Sequence, residues 1–245
     1  MDYKEYRSYI KKFYTELENV WPKDNRWHRY THKTIDTFVK KHISKFTGGR
    51  NQMILNIGSG GNTYGVDQGM YHMDIAENKI SHFPHYAVGS ADEIPFDDEM
   101  FDISICVGTV IDYCSAPKVI SEIKRVLKPG GKIILEFENS YNPEFKKFDD
   151  YGKDTAYITS EYFGENHYYW VYSFDYIYRL LKSAGFKILD SYFFQIISAY
   201  MYAGIFSEDV SSCFSIFDPL LQKSKLRNHC ANIILSARKG DYNED

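Results

Sequence analysis

The chain has 245 residues, enough for one α/β domain with a sizeable core and some additions. Hydrophobic residues make up 44% and charged residues 25%, and the formal net charge is −4. That balance suits a globular protein and argues against nucleic acid as the main partner, since phosphate backbones recruit a basic face. No run reaches the roughly 18 apolar residues of a membrane span, and the charged, amphipathic N-terminus MDYKEYRSYIKKFY lacks a signal-peptide core. Cys106, Cys114, Cys213 and Cys230 form no CxxC pair and, with the histidines, show no metal-ligand spacing. The expectation is a cytoplasmic protein with free thiols, no metal and no membrane span.

Residues 3–20 place Tyr3, Tyr6, Ile10, Phe13 or Tyr14, Leu17 and Val20 at helical spacing, and Trp21-Pro22 ends the predicted helix. Asp24 to Tyr30 reads as a turn, and Thr31 to Phe46 as a second helix closed by Gly48-Gly49. Residues 1–50 thus form a helical extension, a lid or plain packing, on a main domain at 51–240. That domain opens with MILNIGSGGNTYGVDQGMYHMD, residues 53–74. A short apolar strand, Met53 to Ile57, breaks into the turn Gly58-Ser59-Gly60-Gly61-Asn62, and a second strand within Gly69 to Ile75 ends on Asp74. Strand, open-backbone turn and acid-ended strand make the nucleoside-binding edge of a doubly wound sheet. Glycine lets a ligand approach the backbone, and a carboxylate can accept hydrogen bonds from both ribose hydroxyls. Too few residues separate turn and second strand for an ordinary crossover helix, which is expected to be cut to a turn or loop.

Further along, Glu77 to Phe83 suggests a helix and His85 to Gly89 a third strand, followed by a loop from Ser90 to Phe96. Phe101 to Val107 is a near-continuous apolar run, as for a strand buried on both faces. Ala116 to Leu127 is a helix stopped by Lys128-Pro129-Gly130-Gly131, and Lys132 to Phe137 is a fifth strand. Glu138 to Tyr172 reads as irregular. Ser173 caps a helix, SFDYIYRLLKSAGF, with Asp175 in its first turn and Gly185 at its end. Lys187 to Phe194 is the sixth strand, and Ala231 to Arg238 the last, after an aromatic insert at Gln195 to Leu226. Many of the 22 Tyr and 17 Phe crowd between Tyr157 and Phe217, outside the segments assigned to the central sheet.

Four stretches, LNIGSGGN, HMDI, GSADEIPFDDEMFDISI and RVLKPGGKIILEF followed by LLKSAGF, together resemble the class I S-adenosylmethionine-dependent methyltransferases of the small-molecule "methyltransferase domain 11" kind. The resemblance covers Met53 to Phe194, with ANIILSARK matching the final strand. It implies an α/β, Rossmann-like seven-stranded sheet, mostly parallel in the order 3-2-1-4-5-7-6 with the last strand antiparallel. It also implies S-adenosyl-L-methionine across the carboxyl ends of the first strands. By position, Gly58 and Gly60, with Asn56 and Ser59 of the same motif, would approach the cofactor's amino-acid portion. Asp74 and Ile75 would meet the ribose, Ser90, Ala91 and Asp92 the adenine edge, and Val107 and Gly108 the methionine. Tyr14, Trp27 and Tyr30 could close over it. Asn56, Asn62 and Ser90 depart from the family's usual acid, glycine and acid. Asp92 equally suits a helix cap, and a nicotinamide site is disfavoured because Thr63 replaces the third glycine of GxGxxG.

Methyl transfer is an in-line displacement in which alignment and exclusion of water can carry much of the catalysis. If a base is used, His167 and Tyr113 are the leading candidates beside Asp112, with His28 and His32 weaker. Tyr162, Phe163, Tyr168, Tyr169, Trp170, Tyr172, Tyr200 and Tyr202 could wall an acceptor pocket or pack beneath a lid. Ile196 to Leu221 could form a dimer face, so the chain is a monomer or homodimer. The expected activity is methyl transfer to an O or N atom of a small metabolite, a sugar or natural-product intermediate. Rival readings are a protein or RNA methyltransferase and a non-catalytic cofactor-binding subunit.

Overall fold

Leu55, Ile57, Ile103, Ile105, Ile134, Leu135, Ile234 and Leu235 are fully buried, so the strands that carry them need cover on both faces. The computed structural model describes residues 3–44, 52–66, 68–162 and 164–240. The predicted helix stop at Gly48-Gly49, Phe163 and the tail beyond Gly240 lie outside them. The strands are β1 (Ile54–Ile57), β2 (Met70–Asp74), β3 (Tyr86–Val88), β4 (Phe101–Cys106), β5 (Leu127–Glu138), β6 (Thr155–Tyr162), β7 (Glu165–Tyr172), β8 (Phe186–Phe194) and β9 (Asn232–Lys239). Seven of them form one sheet in the order β3-β2-β1-β4-β5-β9-β8. The strand next to β5 is antiparallel to both its neighbours and the rest pair in parallel, as the resemblance implies. β6 and β7 form a separate hairpin, so the last two sheet strands carry numbers two higher than the predicted order.

On one face, α3 (Ala116–Val126) and α4 (Phe174–Ser183) lay Val119, Ile120, Ile123, Ile177 and Leu181 against Leu55, Ile57 and Leu135. On the other, α2 (Arg26–Ser44) lays Ile35, Phe38, Val39 and Ile43 against Ile54, Ile103, Ile105, Ile134 and Ile234. Among the described residues between β1 and β2 there are only turns, so the first crossover has no helix. The second helix of the extension supplies the missing layer, because alternate residues of β1 and β4 would otherwise meet water.

Several boundaries differ from expectation. α1 (Tyr3–Glu16) stops before Trp21, and α2 begins at Arg26, inside the predicted turn. Glu77 to Phe83 holds only a short 3-10 turn, Glu77–Lys79. The region expected to be irregular contains the β6–β7 hairpin: Ala156, Ile158, Tyr169 and Val171 are buried, while Tyr157, Tyr168 and Trp170 face outward. Aromatic rings on both faces hide that period of two from a hydrophobicity reading. The aromatic insert folds into α5 (Ile196–Gly204), α6 (Glu208–Ser211) and α7 (Asp218–Leu221), where Ile205, Ile216 and Leu220 are strongly exposed. α1 lies on the hairpin, the Tyr9 hydroxyl 3.2 Å from the Asn166 carbonyl and the Tyr6 hydroxyl donating to that of Tyr168.

If α2 is a core layer, Phe38→Ala should lower stability by about 3–5 kcal/mol in urea unfolding, the cost of emptying a buried ring site. A loss within about 0.5 kcal/mol, typical of exposed positions, would make α2 a detachable cover.

Candidate active site

β1 runs straight into Gly58 and Gly60, both with left-handed backbone (φ +63° and +51°). A Cβ on Gly58 would stand 2.2 Å from Val110 Cγ2, and one on Gly60 would stand 2.5 Å from Val20 Cγ2, so neither position admits a side chain. Asp74, at the end of β2, holds this turn. Its Oδ2 accepts from the Gly60 N–H at 2.8 Å and its Oδ1 from the Ala76 N–H at 2.9 Å. Burial raises the Asp74 pKa, while these amides and Lys79 pull it the other way. Ser59 faces inward, its Oγ 2.7 Å from His72 Nδ1 and accepting from the Gly61 N–H. Burial depresses His72 to about 4, so Ser59 is hydrogen-bonded to a neutral ring.

Asn56 stands where the family carries an acid, and its amide donates to the Asn62 carbonyl at 2.7 Å. A carboxylate there would face that oxygen with no proton to give. Asn62 Oδ1 accepts from the Tyr64 N–H, and Tyr64, not Asn62, takes the left-handed backbone (φ 52°). Asn62 therefore supports a strained neighbour instead of replacing a glycine.

The second wall is the turn after β4. Glu136, fully buried on β5, accepts at Oε2 from the Gly108 and Thr109 N–H groups, both at 2.8 Å, and at Oε1 from Asn232 Nδ2 at 2.8 Å. Burial raises its pKa and these donors oppose the shift. Over both walls sits the segment between α1 and α2. A Cβ on Gly108 would lie 3.1 Å from Trp21 Cη2, and one on Gly60 2.9 Å from Trp21 Nε1, so one indole spans the two glycine backbones. His32 packs edge-on against it.

Together these elements enclose a cavity of about 340 Å³. Of the residues predicted to bind cofactor, Gly58, Gly60, Asp74, Ile75, Ser90, Ala91, Val107 and Gly108 stand on its wall. Asn56 and Ser59 stand behind the glycine turn they brace, which corrects their expected contact. Asp92 is turned away, accepting from Ser90 Oγ at 2.6 Å and pairing with Arg7, so it anchors α1. Tyr30 is also off the wall: its hydroxyl donates to buried Asp218 at 2.9 Å, while Trp27, His28, Thr31, His32 and Ile35 form the α2 face toward the cavity.

Of the two candidate catalytic groups, Tyr113 is on the wall and His167 is behind it, its Nδ1 3.2 Å from the Tyr113 hydroxyl. Burial pushes the Tyr113 phenol well up and the His167 imidazole down, so both are neutral. Tyr14, also on the wall, donates to Tyr113 at 3.3 Å. Asp112 is fully buried and off the wall. Its Oδ2 accepts from the Glu138 N–H, and burial, with Glu138 and Glu136 adding to it, raises its pKa. His28 is paired with Asp24, and burial depresses His32 to about 4. The aromatic belt divides: Tyr169 and Tyr202 reach the cavity, Tyr168 and Trp170 face outward, and Tyr172 is core.

The far end of the cavity is built by residues the sequence reading passed over, Glu138, Asn142, Glu144 and Glu208. One signal was available: IILEFE places two carboxylates in an apolar strand with buried neighbours, where a charge is costly unless it has partners or a role.

The sheet order, the glycine turn and the acid ending β2 define a doubly wound protein with a nucleoside site at its switch point. Residues 46–135 match the family model described as a methyltransferase domain. An uncharacterized protein of Methanocaldococcus jannaschii is 28% identical over 189 residues, 71% of this chain and 79% of its own length. A ubiquinone/menaquinone biosynthesis C-methyltransferase of Geobacter sp. (strain M21) is 32% identical over 136 residues, 50% of this chain and 57% of its own length, so the chain spans little more than half of that relative. The fold is that of a Burkholderia thailandensis 1,6-didemethyltoxoflavin-N1-methyltransferase crystallised with S-adenosylhomocysteine, at a TM-score of 0.59 and 15% identity over 98% of this chain and 92% of that one. Residues 46–135 carry a methyltransferase domain, whose implied cofactor is S-adenosyl-L-methionine. The glycines that admit no Cβ and the carboxylate at the cavity edge suit that molecule.

The role assigned to Asn56 predicts that Asn56→Asp costs about 1–3 kcal/mol in denaturant unfolding above pH 6, since it removes a donor and sets a carboxylate against a carbonyl. Equal stability of the two proteins would show that the bond to Asn62 is dispensable.

Proposed function

We propose that the protein transfers a methyl group from S-adenosylmethionine to an oxygen or nitrogen atom of a small metabolite. The observation that supports this best is one continuous cavity, lined both by the glycine turn and Asp74 and by Glu138, Tyr169 and Tyr202. Its volume of about 340 Å³ suits a metabolite, and polar and aromatic lining beyond the cofactor-binding residues disfavours a purely cofactor-binding subunit. Among the described residues no helix is long and apolar enough to cross a membrane.

Asp74 would take the ribose hydroxyls on lone pairs left over from its two amide partners, and Ser90 and Ala91 would border the adenine. The Gly108 turn, fixed by Glu136, would flank the methionine portion. The cofactor supplies a methyl group on a sulfonium that leaves as a neutral thioether, so the protein has chiefly to align the acceptor and exclude water. Tyr113, kept as a phenol, would orient the acceptor by hydrogen bonding. His167 and Tyr14 would position that hydroxyl, His167 from behind the wall.

Asp74→Ala should weaken S-adenosylhomocysteine binding by about 1–3 kcal/mol in calorimetry, the range for a lost charged hydrogen-bond pair. Unchanged affinity would remove Asp74 from the site. Trp21 must shift if a ligand is to reach both Gly60 and Gly108. Titration with S-adenosylhomocysteine should therefore change the tryptophan fluorescence of the wild type and leave Trp21→Phe nearly silent. An equal response from the variant would mean the cover stays in place.

A further inference from the structure

Resting on that reading, we propose that the acceptor is a basic amine, held as its cation at the far end of the cavity and methylated on nitrogen. Three carboxylates from three elements meet there: Glu138 at the end of β5, Glu144 in the 3-10 turn Pro143–Lys147, and Glu208 at the start of α6. Three rings from three further elements stand among them: Trp27 of α2, Tyr169 of β7 and Tyr202 of α5. Trp27 and Tyr202 are tilted against each other with centroids 5.5 Å apart, and Tyr202 lies within electrostatic reach of both Glu144 and Glu208.

The partners of these carboxylates are neutral. Glu208 accepts from Asn25 Nδ2, while the Asn142 side chain and the Tyr169 hydroxyl lie close enough to Glu144 and Glu138 to pull their pKa values down. Among the described residues, none of the three forms an ion pair with Lys or Arg. Lys147 lies near Glu144 and partly offsets it, while Glu208 acts against it. The basic side chains elsewhere on the wall are engaged, Arg7 with Asp92 and Glu93, and His28 with Asp24 at 2.8 Å. Half-buried carboxylates with only neutral donors gain most from a cationic guest, and aromatic faces attract the same charge. A neutral alcohol would gain little, and an anion would be repelled.

Glu138 has a second part to play. An ammonium has no lone pair, so it must lose a proton before it can accept a methyl group. Burial, with Glu144 and Glu136 adding to it, raises Glu138 to about 8, while Tyr169 pulls it down. A cation beside it favours the ionised carboxylate, the form that can take up a proton. The N–H bond breaks as the proton passes to Glu138. The freed lone pair then forms the N–CH3 bond, while the C–S bond breaks with its electron pair left on sulfur. The products are S-adenosylhomocysteine and the N-methyl cation, which carries the charge the sulfonium brought.

The test uses the full chain, titrated first with S-adenosylhomocysteine and then, saturated with it, with benzylamine, benzyltrimethylammonium, benzyl alcohol and benzoate in separate calorimetric runs. We expect both cations to bind at least tenfold more tightly than the alcohol or the acid. Glu144→Gln with Glu208→Gln should erase most of that preference, while the variant's affinity for S-adenosylhomocysteine shows that it is folded. If S-adenosylhomocysteine does not bind the wild type, the methyltransferase reading itself fails. If it binds and the cations do not outbind benzyl alcohol, including the case in which no probe binds, the amine proposal is overturned. That comparison needs no variant.

Discussion

The bond from the Gly60 N–H to the Asp74 carboxylate is the contact on which the site depends. It joins the turn after β1 to the end of β2, closing the cavity floor where an α/β sheet ordinarily relies on the first crossover helix. No such helix follows the turn, so a helix N-terminus cannot order the loop. Side chains do it instead: Asp74 from one strand end, Asn56 from within β1, and Ser59 through neutral His72. Glu136 does the same for the turn after β4, drawing in two amides and Asn232 of the antiparallel strand. Two buried carboxylates that accept backbone amides thus hold both rims of the cavity. Each is affordable in a dry setting because hydrogen bonds satisfy its oxygens.

The absent helix has a second consequence. The sheet face it would cover is closed by α2, whose other side carries Trp27, Thr31 and His32 into the cavity. One helix is therefore core layer and site wall at once. α1 and the linker through Trp21 rest on the hairpin and on Asp92 through hydroxyl and ion-pair contacts. Such polar contacts at a half-exposed surface are weak one by one, which suits a segment that has to admit a ligand.

At the acceptor end, buried tyrosines and a buried imidazole that stay neutral surround a group of carboxylates. Tyr113, Tyr14 and His167 form a chain of hydrogen bonds with no charge to give, and burial favours the neutral form of Asp112. The ionisable capacity of this region accordingly resides in Glu138, Glu144 and Glu208, on segments that come together only around the cavity.

The order of the sheet was implied by the resemblance to the methyltransferases, whereas the opening strand, the glycine turn and the acid ending β2 were legible in the sequence. Their signals are local: apolar runs between turn residues, and a connection too short for a helix. Asn56, Ser59, Asp92, Tyr30 and His167 were located in the right neighbourhood and one layer too close to the ligand. Whether a polar side chain points into a cavity or braces its wall depends on a partner such as Asn62, His72, Arg7, Asp218 or Tyr113, mostly far along the chain. The β6–β7 hairpin was hidden because aromatic rings occupy both of its faces and erase the period of two. By itself the sequence determined the doubly wound sheet and its nucleoside edge, since periodicity and turn chemistry act over a few residues. Only the tertiary structure decided that α2 replaces a crossover helix and that Glu138, Glu144 and Glu208 share one chamber, because burial and charge proximity arise between segments that the chain order keeps apart.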